Sequence, residues 1–286
     1  MQLIVVHNAE AGAGQMNSAQ IEQLLRDAGH QVEIIEREDR TWHERLEHGC
    51  DAVVAAGGDG TVQQVIHDVV GTNIPVAILP IGTANNIAHS LGYMFGDQLA
   101  ARIADWPARE QRLAVAGVAR GGWRAAFIEA VGVGAFAGLA VDDEDITPEH
   151  TALAIARMRK MLIEKLLDAV AMPIEIDIDG DTFMGEYLLV EVLNLCYVGP
   201  RLLIAPDETP GEAMFTVCAV DVKQRDAAAH WVGSGAGDPR RFALGRGHLV
   251  HVRTTEPMHV DGEGTDQLLI GDIRLEAGVR SVRVWV

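Results

Sequence analysis

The sequence predicts a two-domain protein with an α/β N-terminal domain and a mostly antiparallel β second domain. Over the first 118 residues, short apolar runs alternate with helix-like segments, which is typical of a parallel sheet with flanking helices on both faces. From about residue 112, apolar runs follow one another with one long helix among them, which favours a sandwich or an open barrel. A length of 286 residues suits two domains of ordinary size.

The first domain has four predicted strands and four predicted helices. Each strand is a short apolar run, and the helices show capping residues or apolar residues at three- to four-residue spacing. The strands are Leu3–His7, Val32–Ile35, Asp51–Ala56 and Val76–Leu79. The helices are 17–28, closed by Gly29, then 41–48, 61–70 and 83–91, closed by Gly92.

The second domain is predicted from short runs rich in β-branched and aromatic residues. These runs are Leu113–Val118, Ala125–Val131, Ile174–Ile178, Tyr187–Leu195, Phe215–Val220, Leu249–Val252, Met258–Val260 and Ile273–Leu275. The long helix covers roughly 149–171. Val282–Val286 ends the chain as a strand that is expected to return to the first domain. The predicted domains are therefore 1–118 with 280–286, and 119–279.

Composition narrows the class of protein. Apolar residues make up 48% and charged residues 22% of the chain, which suits a globular protein with a full core. No apolar run reaches the roughly 18 residues that cross a bilayer, and the first residues read as a buried strand rather than a signal peptide. Cys50, Cys196 and Cys218 are scattered, which favours reduced core thiols and a cytoplasmic location.

The formal net charge of −18 argues against a nucleic-acid partner, because neutralising phosphates needs clustered lysines and arginines. It also opposes strong electrostatic attachment to anionic lipid. Thr151–Ala171 carries basic residues between apolar ones. A transient, peripheral contact with a membrane surface is compatible with this pattern, although a helix packed on a sheet is commoner. A homodimer is also compatible with the sequence.

A glycine-rich loop, Gly57–Thr61 (GGDGT), follows the third strand and opens a helix. Glycines let the backbone approach a phosphate, and amides at a helix N-terminus favour an anion. Asp59 fits beside phosphate with a cation between them, normally Mg²⁺, or with hydrogen bonds to an orienting partner. This setting favours a nucleotide-phosphate site over a structural turn.

The fourth strand ends in a similar loop, Leu79–Asn86 (LPIGTANN). Pro80 and Gly82 shape a turn, and Thr83 is expected to cap the next helix. Ligands of parallel α/β sheets bind beyond the carboxyl ends of the strands. Two such loops on neighbouring strands therefore predict one shared phosphate site.

These motifs together resemble the catalytic domain of diacylglycerol, sphingosine and related bacterial lipid kinases. The resemblance begins with Gly57–Thr61 followed by Leu79–Asn85. Asn8 lies in a glycine-rich first loop, Asn194–Pro206 resembles a second-domain segment that ends in Ala-Pro, and Asp261–Glu263 matches an Asp-Gly-Glu motif. The resemblance spans essentially the whole chain and implies a fold like that of diacylglycerol kinase and NAD kinase.

The resemblance implies a kinase that uses ATP and Mg²⁺ to phosphorylate a diacylglycerol-like or other lipid, within lipid metabolism and phospholipid biosynthesis. Asp261 or Glu263 would be the general base toward the acceptor hydroxyl, and the other would help to hold metal or water. The implied metal ligands are Asp59, Glu263 and Glu212. The implied nucleotide contacts are Asn8, Gly57, Gly58, Asp59, Gly60, Thr61, Gly82, Thr83 and Asn85.

Several positions depart from the family pattern. The first loop lacks the usual Pro and Ser, Gln64 stands where Glu is common, and Asn86 stands where Asp is common. The family's Asp-Gly turn, linked to a second-domain cation site, is replaced by Pro210–Glu212, so Glu212 is the nearest candidate ligand. Amides accept hydrogen bonds but bring no charge to a magnesium network.

Two alternatives stay open. The departures are compatible with a nucleotide-binding regulatory protein that has weak or no kinase activity. A kinase with a soluble acceptor, such as NAD kinase, shares Gly57–Thr61, but NAD kinases carry Asn-x-Gly-x-Leu-Gly-Phe where this chain has Leu79–Asn85. The acceptor is not identified by the sequence, because acceptor pockets are built from generic apolar side chains.

Overall fold

A computed structural model describes residues 1–13, 16–39, 41–93, 99–137, 151–262 and 269–286. These residues form two compact units. Unit 1 includes Met1–Leu113 and Arg280–Val286, and unit 2 includes Leu153–Val279 and the strands that follow Leu113. The predicted boundary at residue 118 falls inside the strand Glu110–Arg120, which begins in unit 1 and ends in unit 2. None of the helices in the described ranges is both long enough and apolar enough to span a membrane.

Unit 1 is built on parallel strands. The four strands are β1 (Gln2–His7), β2 (Gln31–Glu36), β3 (Ala52–Gly57) and β4 (Val76–Pro80). They pair in parallel in the order β2-β1-β3-β4. Val284 and Trp285, near the end of the chain, pair in parallel with β4. The last residues of the chain therefore belong to the sheet of unit 1.

Helices connect and follow these strands. They are α1 (Ser18–Asp27), α2 (Asp59–Val69), α3 (Asn86–Ser90) and α4 (Leu99–Asp105), with 3₁₀ turns at Trp42–His48 and Trp106–Arg109. The predicted start of α1 is confirmed by a capping box, in which the Asn17 and Gln20 side chains each accept the other's backbone N–H at 2.9 Å.

The core of unit 1 explains why the site lies at one edge of the sheet. Every residue of β3 is buried, as expected for a central parallel strand. The apolar stripe predicted for α2 is also buried, including Val65, Ile66 and Val69. Because β1, β3 and β4 run in parallel, their carboxyl ends and the loops that follow them meet at the same edge of the sheet.

Unit 2 is mostly antiparallel. Two of its strands are shared with unit 1, since β5 begins there and β15 ends there. The strands are β5 (Glu110–Arg120), β6 (Trp123–Phe127), β7 (Ala130–Gly134), β8 (Met172–Ile178), β9 (Asp181–Leu193), β10 (Tyr197–Val198), β11 (Leu202–Leu203), β12 (Phe215–Asp221), β13 (Ala243–Gly247), β14 (Leu249–Val260) and β15 (Leu269–Trp285). The antiparallel pairs β7–β9, β9–β8, β8–β14 and β14–β7 close into a ring, as strands do in a barrel.

Two helices add to unit 2, α5 (Thr151–Asp168) and α6 (Arg225–Ser234). Leu162 and Leu166 of α5 share a buried cluster with Trp231 of α6 and with apolar residues of β9 and β12. A second cluster, which includes Phe127 and Phe215, fills the space between strands. Helix α5 matches the predicted long helix, whereas α6 was not predicted, because its sequence RDAAAHWVGS has few large apolar residues.

Other local predictions differ from the structure. Helix α3 begins at Asn86 with Asn85 as its N-cap, so Thr83 does not cap it. The two predicted runs of 249–252 and 258–260 form one strand, β14, and the run 125–131 is divided between β6 and β7. Propensity identifies apolar runs, but the pairing partners decide where a strand ends.

Candidate functional site

The first glycine loop connects β3 to α2. Gly57 ends β3, Gly58 is the N-cap of α2, and Asp59 is its first residue. A Cβ atom built on Gly57 would lie 2.3 Å from the Thr61 hydroxyl oxygen, so a residue with a side chain does not fit at position 57. The first amides of a helix have no partner within the helix, which makes this turn suited to an anion.

The loop after β4 packs directly on the first loop. The Ile81 amide donates to the Gly57 carbonyl at 3.1 Å. A Cβ atom on Gly82 would lie 2.2 Å from the Gly58 Cα atom, so these two backbones approach closely because both residues are glycine. The structure thus brings the two predicted loops together at one edge of the sheet of unit 1.

Asn85 shapes the second loop from within. Its φ of 53° lies in the left-handed region, which Asn tolerates better than most residues. The Gly82 amide donates to Asn85 Oδ1 at 3.0 Å, and Asn85 Nδ2 donates to the Gly82 carbonyl at 2.6 Å. With 4% of its surface exposed, Asn85 is suited to hold the loop rather than to contact a nucleotide through its amide.

Asp59 joins the two loops. Its Oδ1 atom accepts a hydrogen bond from the Ile87 amide at 2.9 Å, and Ile87 lies in the first turn of α3. A carboxylate at the start of α2 is also favoured by the helix dipole. Because a carboxylate has about four lone-pair sites, the orienting bond from Ile87 is compatible with a second role toward a cation.

The remaining residues predicted for this site lie nearby. Asn8 follows β1, and its amide donates to the Ala56 carbonyl at 3.0 Å, which places it beside the end of β3. The Asn8 side-chain oxygen accepts from the Glu10 amide at 3.0 Å and so shapes its own loop. The first turn of α2 and the loop after β4 hold Gly60, Thr61 and Thr83.

A cation that the sequence did not indicate lies beside the glycine loop. Arg37 follows β2, and its amide donates to the His7 carbonyl at 2.8 Å. Its Nε atom donates to Gln64 Oε1 at 3.1 Å, and its Nη2 atom lies 3.6 Å from where a Cβ atom of Gly60 would be. A single arginine among Glu36, Glu38 and Asp39 gives no sequence signal, because fold topology alone brings it to Gly60.

Asp261 is anchored in unit 2. It follows β14 with a φ of 51°, and its carboxylate accepts hydrogen bonds from the amides of Ile128, Glu129 and Ala130 at 2.7–3.2 Å. Burial raises the pKa of Asp261 to about 6, while the three N–H groups act to lower it. Both carboxylate oxygens accept backbone bonds, so Asp261 is better placed to fix its turn than to take a proton. Glu263 lies outside the described residues.

Asn194 supports the strands that hold Asp261. Its side-chain Nδ2 atom donates to the carbonyls of Ala114 at 2.9 Å and Ile128 at 2.7 Å. Its backbone N–H donates to the carbonyl of Glu129 at 2.9 Å. The side chain is fully buried. Asn194 therefore fixes the backbone whose N–H groups bind Asp261.

A buried ion pair lies two residues before Asp261. Glu191 and His259 face each other across Gly132, where a Cβ atom would lie 2.2 Å from the Glu191 carboxyl. His259 Nε2 and Glu191 Oε1 are 2.9 Å apart. Burial lowers the pKa of His259, but the charge and hydrogen bond of Glu191 outweigh it and raise that pKa above its usual value. The pair is not apparent from sequence, because the two residues lie on separate strands.

Glu212 does not fit the metal-ligand role predicted for it. Its Oε2 atom lies 3.1 Å from Arg246 Nη2, so a cation of the protein already faces the carboxylate. Within the described ranges, no group of three or more His, Cys, Asp or Glu side chains is arranged to bind a metal ion.

Comparison with known proteins agrees with this geometry. Residues 2–115 match the family model of the diacylglycerol kinase catalytic domain. A diacylglycerol kinase of Bacillus subtilis is 30% identical over 171 residues, which cover 58% of this chain and 53% of that protein. A probable YegS-like lipid kinase of Klebsiella pneumoniae is 28% identical over 220 residues, covering 72% of this chain and 69% of that protein. The match thus spans about half the length of the Bacillus subtilis relative.

Solved structures show the same fold over the whole chain. A putative diacylglycerol kinase of Bacillus anthracis matches with a TM-score of 0.74 at 20% identity, covering 99% of this chain and 94% of that one. An NAD kinase of Archaeoglobus fulgidus in complex with ATP matches with a TM-score of 0.52 at 11% identity, covering 100% of this chain and 94% of that one. Residues 2–115, which hold both glycine loops, are therefore similar to the diacylglycerol kinase catalytic domain, and the chain shares the fold of these solved structures.

Proposed function

We propose that the protein is a lipid kinase that transfers the γ-phosphate of ATP to a hydroxyl of a diacylglycerol-like or other lipid. The observation that carries this proposal is the packing of Gly82 on Gly58, with Asp59 bonded to Ile87 across the two loops. Phosphoryl transfer depends mostly on positioning and on charge neutralisation, and these loops are built for both.

Unit 1 would bind the nucleotide phosphates through backbone amides and one arginine. The amides at the start of α2 favour an anion. The Arg37 guanidinium, placed beside Gly60, would add positive charge at the phosphate site of a protein whose net charge is −18. Gln64 accepts from Arg37 without neutralising it, whereas a glutamate would. This departure from the family pattern is therefore compatible with nucleotide binding.

Mg²⁺ fits unit 1 through the chemistry of Asp59. A carboxylate beside amides that favour phosphate is best accommodated when a hard cation lies between the two anions. Asp59 would hold the metal in unit 1. When bound, Mg²⁺ would neutralise charge on the transferred phosphoryl group.

In unit 2, Glu263 would be the general base and Asp261 the residue that positions its turn. Support comes from the three backbone amides that bind the Asp261 carboxylate. In Asp261→Asn an amide NH₂ would face these N–H donors, so both stability and turnover should fall. Glu263→Gln should instead lose turnover, at unchanged thermal stability. The reverse pattern would exchange the two assignments.

The proposal is tested by transfer of radiolabel from [γ-³²P]ATP to extracted bacterial lipids, separated by class. Asp59→Asn should remove transfer, because it loses the charge that faces the phosphates while keeping the shape of the side chain. Asp68→Asn is the matched control, since Asp68 is an exposed carboxylate on the same helix, α2. If the wild type binds ATP but labels no lipid class, the lipid-kinase proposal is wrong.

A nucleotide-binding regulatory protein is the second candidate. It is favoured by Gln64 and by Asn86, a buried amide where the family commonly has a carboxylate. Calorimetry of ATP binding with and without Mg²⁺ separates the two. Binding that ignores Mg²⁺, without turnover, favours the regulatory protein. Label found in NADP rather than lipid, when NAD is supplied, would instead favour a soluble acceptor.

A transient contact of unit 2 with a membrane surface is part of the lipid-kinase proposal. Leu153 and Leu167 of α5 are exposed by 48% and 45%, and Val170 just beyond it by 82%. Arg157 and Lys160 are exposed on the same helix. Apolar and basic side chains together suit an interfacial helix. Flotation with anionic vesicles should be weakened by Leu167→Ser if this helix makes the contact.

A further inference from the structure

Unit 2 contains an arginine held between two carboxylates. Arg246 lies on β13, directly opposite Thr216 of β12. Its Nη2 atom is 3.4 Å from Glu208 Oε1 and 3.1 Å from Glu212 Oε2. The other Glu208 oxygen accepts a hydrogen bond from the Thr216 hydroxyl at 2.6 Å. One cation thus faces two acidic side chains of a single loop.

The burial of Glu208 favours a cation beside its carboxylate. Its side chain has no exposed surface, whereas that of Arg246 is 36% exposed. Burial raises the pKa of Glu208, and the Thr216 hydrogen bond and the Arg246 charge act in the opposite direction. A buried carboxylate without a partner is strongly disfavoured. Either an arginine or a metal ion from solution could provide the charge.

The loop that carries these carboxylates is tied to the turn of Asp261. The Ala114 amide donates to the Pro210 carbonyl at 2.7 Å. Asn194 Nδ2 in turn donates to the carbonyls of Ala114 and Ile128. The Ile128 amide donates to the Asp261 carboxylate. A continuous path of hydrogen bonds within unit 2 therefore leads from the loop of Glu208 and Glu212 to Asp261.

We propose that Arg246 is a built-in cation that replaces a divalent metal ion beside Glu208 and Glu212, and so makes the second unit independent of metal. The guanidinium offers five donors on a covalent tether, so the loop is held without an ion from solution. Its removal should leave Glu208, Glu212 and the Thr216 hydroxyl as oxygen ligands of the kind that Ca²⁺, Mn²⁺ and Mg²⁺ prefer. In this proposal Arg246 is a positioning residue for Asp261.

The test is thermal unfolding of the whole chain without nucleotide, in EDTA or in Mg²⁺, Ca²⁺ or Mn²⁺. The divalent ions are used at about 10 mM, above the weak calcium sites of about 1 mM dissociation constant. The wild-type midpoint should not respond to the metals. Arg246→Met, which keeps a long apolar side chain, should lower the midpoint in EDTA by roughly 5–10 °C. Divalent ions should then restore about 3–5 °C, as expected of a ligand at about ten times its dissociation constant.

Two variants show whether this response comes from the proposed residues. Arg274→Met is the matched control, because Arg274 pairs with Glu276 at 3.4 Å on an exposed part of β15 and should give neither the large loss nor the metal response. Adding Glu212→Gln to Arg246→Met should remove the restoration by metal. Loss of the metal response in this double variant is not expected of a purely structural arginine.

Three results would overturn the proposal. The first is a wild-type midpoint raised by divalent ions and made unresponsive by Glu212→Gln, which would identify a metal site beside Arg246. The second is a folded Arg246→Met protein that none of the three ions stabilises. If that variant does not fold, Glu208→Gln with Arg246→Met should fold without a metal response, since removing both charged partners costs less than removing one. Failure of this pair to fold is the third.

Discussion

The contact between the two glycine loops allows a sharp test by Gly82→Ala. A Cβ atom at this position would lie 2.2 Å from Gly58 Cα, 2.9 Å from Gly58 N and 3.0 Å from Asn85 Oδ1. Carbon atoms attract at about 3.5–4.0 Å, so the loops would have to separate by more than about 1 Å. The obstacle is backbone rather than a flexible side chain, so a change of rotamer cannot relieve it.

The expected losses of stability and activity follow from this displacement. Overpacking of this kind costs about 1–3 kcal/mol in stability and more where backbone is involved. Displacement by about 1 Å reduces the rate of a positioned reaction about 100-fold. Because Asp59 is oriented by the Ile87 amide in the helix after this loop, Gly82→Ala should also misplace the carboxylate. We expect turnover to fall at least 100-fold and ATP affinity at least tenfold.

The assay is calorimetric ATP binding with urea unfolding of the same samples. Gly122→Ala in unit 2 is the control, because a Cβ atom there meets nothing within 4 Å and needs no unusual φ. Gly60→Ala is a second comparison within the same loop, since its Cβ atom would be in ordinary contact with Arg37 at 3.6 Å. The proposed packing of the loops would be refuted if Gly82→Ala binds ATP within twofold of the wild-type affinity and keeps the wild-type free energy of unfolding.

Three further substitutions test separate parts of the structure. Gln64→Glu should weaken ATP binding about 3–10-fold by calorimetry, because a carboxylate would neutralise Arg37. Asn194→Leu should lower the free energy of unfolding in urea by about 2–4 kcal/mol, since it leaves two buried carbonyls without donors. For His259, whose pKa is raised by Glu191, the stabilisation is complete below pH about 6.5 and is lost as pH rises through the folded-state pKa. His259→Gln should remove this loss, which is at most about 1.4 kcal/mol per pH unit.

Each of these substitutions has a control and a contradicting result. Asp68→Asn on α2 should leave ATP affinity unchanged, and equal affinity of Gln64→Glu and the wild type would exclude Arg37 from the phosphate site. A loss below about 1 kcal/mol in Asn194→Leu would mean that the carbonyls find other donors. His230 is exposed on α6, so His230→Gln should keep the wild-type pH dependence between pH 6 and 9. If His230→Gln removes the pH dependence of stability, then His259 is not the source of that dependence.

Features that depend on neighbouring residues were predictable from the sequence. The capping box at Asn17 and Gln20, the stripe of α2 and the strand-loop-helix setting of Gly57–Thr61 are all local patterns. In each of them the residues that make the contact lie within a few positions of one another. The same locality explains why the β3 and β4 loops were recognised as a pair: both follow buried strands of one parallel sheet.

The remaining features depend on contacts between distant parts of the chain. Arg37 and Gln64 are 27 residues apart, and Arg246 and Glu208 are 38 apart, so no spacing rule connects them. Thr83 was predicted as the N-cap of α3, yet Asn85 takes the position, where its side-chain amide closes a ring of hydrogen bonds with Gly82 in the left-handed conformation. Residue type alone therefore did not decide which of two nearby polar residues becomes the N-cap.

The two departures at Gln64 and Glu212 have a common electrostatic explanation. With 41 acidic and 23 basic residues, the chain has little positive charge to spare for an anionic substrate. At physiological salt, charges beyond about 8 Å are largely screened, so the nearest groups decide whether phosphate is accepted. A neutral amide at 64 leaves the charge of Arg37 available at the glycine loop, while Arg246 neutralises carboxylates that would otherwise need an imported ion. Under the proposed lipid-kinase function, the amide at position 64 and the pairing of Arg246 with Glu208 and Glu212 are both compatible with phosphoryl transfer. In each case an arginine supplies positive charge where an anion needs it. The ATP affinity of Gln64→Glu tests the role of Arg37, and the metal response of Arg246→Met tests the role of Arg246.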